Sequence, residues 1–191
     1  QNASVSTEDE RLAFTNALEG LKSTDPNIRR RAAEVLAALS PRSALPDLSQ
    51  ALRNEADDGA ASAMAAAISL SGKDAASPVF SACMDTSPYL AARLAALTAS
   101  ARMDESGLSL LHALCDESPQ VRRRAVVLAA SLQPASLARI LESAAADPDA
   151  SVRHVAQLAG RGNQPAPKQN SAQNGEPPES RSPLFSPRSE A

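Results

Sequence analysis

Aromatic side chains are nearly absent: the 191 residues contain no Trp, one Tyr (Tyr89) and three Phe (Phe14, Phe80 and Phe185). Any core must therefore be built from Ala, Leu, Val and Ile. Ala and Leu are strong helix formers, and an Ala-rich run such as Ala60 to Ala67 predicts closely packed helix. The expected class is all-α. No apolar run approaches the length that a membrane-spanning helix needs, so none is expected. An excess of one charge is missing too: the net charge is −3 with both signs scattered, which does not point to a nucleic-acid binder or a membrane-surface protein.

What the chain has instead is a period. Cut into equal 31-residue lengths, it places Ile28, Gly59, Leu90, Val121 and Val152 in one column. Ala32, Ala63, Leu94, Ala125 and Ala156 form a second column, and Leu39, Leu70, Ala101 and Leu132 a third. Arg29, Arg122 and Arg153 share a position that Ala60 and Ala91 fill in the second and third units. A repeat this short cannot bury its own apolar face and completes a core only against its neighbours, which predicts a solenoid.

Each unit reads as two helices. In the fourth, Leu108, Leu110, Leu111 and Leu114 supply the apolar side of a first helix. Ser118-Pro119 then opens a second, the Ser as N-cap and the Pro where a missing N–H costs nothing. Val121, Ala125, Leu128 and Leu132 are its inward stripe. Asp25-Pro26 and Ser87-Pro88 are expected to open the second helices of units one and three, and Asp149 or Ser151 to cap that of unit five. In unit two Asp57 and Gly59 replace the usual pattern, so its helix boundary is expected to shift. The prediction is an α-solenoid of about five antiparallel helix pairs over residues 9–160, after a flexible segment 1–8. Residues 161–191 are rich in Pro, Ser and Gln and are expected to be disordered. Within them Leu184 and Phe185 are the large apolar side chains, and are read as a candidate docking peptide.

The series Asp25-Pro26-Asn27-Ile28-Arg29 with Ala32, Ala33 and Leu36 recurs as Asp116 to Arg122 with Ala125 and Leu128, and as Asp147 to Arg153 with Ala156. In this the chain resembles HEAT repeats, specifically the short bacterial type called PBS-lyase-like. The resemblance implies a curved array whose second helices line the concave surface. Counting about 100° per residue, that surface is expected to carry Arg30, Ile68, Ala92, Ala96, Arg123, Val127 and His154. A shallow Ala-lined groove with charge at its ends suits a helix or an extended peptide, so the expected function is a non-catalytic scaffold or adaptor. The alternatives are a bilin lyase-like or chaperone-like protein, implied by the resemblance alone, and a nucleic-acid-binding array.

Other chemistry is poorly supported. His112 and His154 have no second ligand at metal spacing on their own helices, and no metal or other cofactor is expected. Gly72-Lys73 lacks the Gly and the Ser or Thr of a phosphate-binding loop. Cys83 and Cys115 fall on corresponding helices of adjacent units at a spacing that favours two buried thiols over a bridge, and free thiols lean towards a reducing compartment. A start at Gln1 instead fits a processed, exported chain or a fragment, and Asn2-Ala3-Ser4 has the form of a glycosylation acceptor. Arg29, Arg122 and Arg153 are expected to pair with Asp25, Asp116 and Asp149 of the preceding turn.

Overall fold

The computed structural model describes residues 2–162, with side chains from residue 7 onward. Residues 163–191, including the stretch around Leu184 and Phe185, lie outside the described residues, as do the side chains of Asn2 to Ser4. Ten helices and no strand occur among the described residues: α1 (Asn2–Gly20), α2 (Pro26–Leu39), α3 (Leu45–Arg53), α4 (Asp58–Ser69), α5 (Lys73–Thr86), α6 (Leu90–Met103), α7 (Leu108–Ala113), α8 (Pro119–Ala129), α9 (Pro134–Ala145) and α10 (Ala150–Gly162). Residues 2–8, expected to be a flexible lead-in, are thus the opening turns of α1.

Consecutive helices pair as α1 with α2, α3 with α4, and so on to α9 with α10. The second helices also pack on one another without a break, α2 on α4, α4 on α6, α6 on α8 and α8 on α10. First helices stack far less closely; only α3 and α5 make more than marginal contact, and that contact is weaker than any between second helices. The layer whose members lie closer together is the inner layer of a curved stack, so the second helices form the concave side.

Small side chains explain the close approach. Measured from each N-cap, the residue seven positions on is Ala32, Met64, Ala96, Ala125 or Ala156, and all five are buried. Three positions on come Ala60, Ala92, Val121 and Val152, also buried, with Ile28 the half-exposed exception. Ala in these columns lets neighbouring helix axes come close, and Met64, Ile68, Leu97 and Val126 fill what remains.

The N-caps reveal that the period is not strict. Asp25, Asp57, Tyr89, Ser118 and Asp149 precede the second helices. Asp57 and Tyr89 each follow the previous cap by one position more than the repeat length, Ser118 by two fewer, and Asp149 by the repeat length itself. Ser87-Pro88 therefore does not open α6. The helix begins two residues later, at Leu90, and α4 begins one residue away from the 31-residue phase, as the irregular sequence of unit two foreshadows.

Candidate functional site

One turn geometry recurs at the head of every second helix. Two residues before the N-cap, a side-chain oxygen accepts the N-cap backbone N–H: Ser23 from Asp25 at 3.1 Å, Glu55 from Asp57 at 2.9 Å, Ser87 from Tyr89 at 3.2 Å, Asp116 from Ser118 at 2.7 Å and Asp147 from Asp149 at 2.8 Å. Four residues after the N-cap, an arginine reaches back to the main-chain carbonyls of the same turn. Arg29 donates to the Ser23 and Thr24 carbonyls, Arg93 to that of Ser87, Arg122 to those of Asp116 and Glu117, and Arg153 to those of Asp147 and Pro148.

In three of the four, Arg29, Arg93 and Arg122, the free edge of the guanidinium then joins one unit to the next. Arg29 grips both oxygens of Glu55 at 2.6 and 2.7 Å, and Arg122 both oxygens of Asp147 at 2.8 and 3.0 Å. Arg93 meets Asp116 at 3.1 Å as an ion pair without an aligned hydrogen bond, and also lies 3.3 Å from Glu117. Between units two and three both partners are missing together. Ala61 stands where the arginine would be, Ser87 where the acid would be, and the Ser87 hydroxyl instead donates to the Arg53 carbonyl at 2.8 Å. An acid therefore occupies the turn only where the preceding unit supplies an arginine.

These arginines do not pair with Asp25, Asp116 and Asp149 of their own turns as expected. A guanidinium arriving from its own helix meets the turn's carbonyls, while the carboxylate within reach of its other edge belongs to the following unit. Arg93, two residues from the 31-residue column, is a full member of this ladder, whereas Ala60 and Ala91 are not its vacancies. The Arg122 hydrogen bond lowers the Asp147 carboxyl below its ordinary range, against the opposing effect of burial. For Glu55 burial pushes upward, but hydrogen bonds from Arg29 and from the Asp57 and Ala56 backbone outweigh it and the net direction is down.

The two-residue slip of α6 also rotates the concave face. Moving the phase by two residues turns a helix by about 200°, and by one residue about 100°. Ile68, Ala92 and Ala96, expected on the surface, are accordingly in the core at 0% exposure, as is Ala61. Units in phase keep their assignment: Arg30, Arg123 and His154 are exposed and Val127 is 47% exposed. Counted from the N-caps, the outer ridge of the layer runs through Arg30 and Glu34, then Ser62, Ala66 and Ser69, then Leu94, Thr98 and Arg102, then Arg123 and Val127, then His154 and Leu158. The signal available in the sequence was the six-residue gap between a short polar residue and an arginine, Ser23 to Arg29, Ser87 to Arg93, Asp116 to Arg122 and Asp147 to Arg153.

In the middle of this ridge lies an open groove of about 650 Å³ between α4 and α6, reached by Arg124 from α8. Ala66, Ala91, Leu94, Ala95, Ala99 and Met103 give it an apolar floor, and Arg102, Arg124 and Asp58 are the charged residues of its lining. Residues 15–101 match the family model described as HEAT repeats, and residues 108–129 match one described as a HEAT repeat associated with sister chromatid cohesion. The chain is an array of HEAT repeats. Both descriptions name HEAT repeats, and neither names the short PBS-lyase-like type. No curated protein and no solved structure matches this HEAT-repeat chain.

A second hollow, of about 340 Å³, opens between α5, α7 and the head of α8. There His112 Nε2 lies 3.3 Å from Asp85 of the preceding unit, a through-space partner that helix spacing could not reveal. Neither cysteine is in a disulfide, but only Cys83 is buried as expected; Cys115, just past the end of the short α7, is exposed at the rim of this hollow. Burial pushes the Cys83 thiol up to about 11. Among the described residues no three His, Cys, Asp or Glu side chains are grouped to hold a metal ion, and no helix is long and apolar enough to cross a membrane.

Proposed function

We propose that this chain is a non-catalytic scaffold or adaptor that binds another protein along the concave ridge of its second helices. HEAT repeats commonly mediate protein–protein interaction. The observation that carries the reading is the groove between α4 and α6: an apolar floor flanked by charged residues, open along the inner face of the array and covered by no other described element. Of the expected contact residues, Arg30, Arg123, Val127 and His154 remain, and Ala66, Leu94, Thr98 and Arg102 take the places of Ile68, Ala92 and Ala96.

Co-purification of partners by the full chain and by an Ala66→Glu, Thr98→Glu variant tests this. Both sites line the groove, so circular dichroism should be unchanged while a specific partner is lost. Equal recovery by the two proteins, with the variant folded, removes the groove as the binding surface.

A further inference from the structure

The net charge of −3 conceals a strong separation of charge. The five second helices carry ten arginines against two acids, Glu34 and Asp58, whereas the first helices and turns up to residue 162 carry six basic residues against seventeen acidic ones. Arg29, Arg93, Arg122 and Arg153 are occupied in the turns described above. Arg30, Arg31, Arg102, Arg123, Arg124 and Arg161 stay exposed on the second helices. Among the described residues, Arg31, Arg102 and Arg123 have no ion-pair or hydrogen-bond partner, and Arg124 has only a long 3.4 Å contact with the Thr98 hydroxyl.

The floor between these cations offers a partner little to hydrogen-bond. Of the three hydroxyls that line it, those of Thr98 and Ser69 donate to the Leu94 and Ala65 carbonyls of their own helices, which leaves the exposed Ser62 hydroxyl as the one still able to donate, and helical backbone has no free edge. An extended peptide laid here would leave its own N–H and C=O groups unpaired wherever it excluded water, which costs free energy at each one. A helix satisfies its backbone internally, and Ala66, Ala95 and Ala99 allow its axis to come close.

We propose that the occupant of the α4/α6 groove is an acidic amphipathic helix of a partner protein, its apolar stripe on Leu94 and Met103 and its carboxylates on Arg102 and Arg124. This deepens the scaffold reading and rests on it. Opposite potentials steer such a partner to the inner face, while the acidic first helices and turns repel it from the rest of the molecule.

The test is selection of a displayed library of random 16-residue peptides on the full chain, followed by anisotropy measurements on the enriched sequences. Enriched peptides should be acidic with apolar residues at helical spacing. Their binding should weaken at least tenfold with Arg102→Glu, Arg124→Glu, should fall with added salt, and should be unchanged with Arg42→Glu, Arg139→Glu, which alters exposed arginines outside the second helices. Neutral or basic winners, or acidic winners indifferent to the Arg102 and Arg124 reversals, would overturn the proposal. Loss of partner with Ala66→Glu, Thr98→Glu but not with the arginine reversals would leave the scaffold reading intact and remove the acidic helix. A duplex oligonucleotide that binds more tightly than any selected peptide, and through the same two arginines, would replace the helix with nucleic acid.

Discussion

Arg122 leaves α8 and takes both carboxylate oxygens of Asp147, at 2.8 and 3.0 Å, across the junction to the next helical pair. Both side chains are buried, and the same arginine also closes the turn beneath its own helix through the Asp116 and Glu117 carbonyls. One side chain thus fixes a turn and a repeat interface together at that junction.

Arg122→Ala leaves a buried carboxylate without its partner and should cost about 3 kcal/mol or more. Adding Asp147→Ser should recover much of this, because the junction of Ala61 with Ser87 already packs without charges. Urea unfolding of the wild type, both single variants and the double variant gives the coupling. Additive losses would mean that the pair does not act as a unit.

Acid should loosen the same junctions. The folded carboxyls of Asp147 and Glu55 lie below their ordinary range, so the unfolded chain binds protons more readily. The stabilisation is present above the unfolded value of about 4 and is lost as pH falls through the lower folded value. Urea midpoints should hold between pH 7 and 5 and drop towards pH 3, with a shallower drop for Asp147→Asn.

Gly107, the N-cap of α7, has φ +75°, and an added Cβ would lie 2.6 Å from the Leu132 side chain. Gly107→Ala combines left-handed strain with a clash and should destabilise by about 1–3 kcal/mol. Gly72, at φ +95° with open space around it, bears only the strain. Its alanine variant should lose less, and thermal melts of the two compare them.

The thiols report on folding directly. In native protein Cys115 should react with a neutral-pH thiol reagent and Cys83, buried and with its thiol at about 11, should not. One thiol per chain is expected before urea and two after. Two before urea would mean that the interior around Cys83 is open.

Much of the array was legible in the sequence, because helix starts and apolar stripes report on each other. Asp25-Pro26 and Ser118-Pro119 mark their helices correctly, and Val121, Ala125 and Val152 lie where the stripe puts them. Unit three misled because Ser87-Pro88 has the same composition as a cap and yet forms the turn before one. A small slip in a helix start barely alters the fold but reverses which face is outside, so the candidate site suffered where the architecture did not. The acids of the ladder were hidden for another reason: Glu55 and Asp147 belong to the unit after their arginines, and nothing local pairs them.

Cysteine accessibility along α4 and α6 tests the account at its root. In a Cys83→Ala, Cys115→Ala background, single cysteines replace Ala66, Ile68, Ala96 and Thr98, and each alkylation rate is compared with that in urea. The register set by the N-caps predicts fast reaction at 66 and 98 and strong protection at 68 and 96. The reverse pattern, with 68 and 96 reactive and 66 and 98 protected, would restore the strict 31-residue phase and contradict the groove described here.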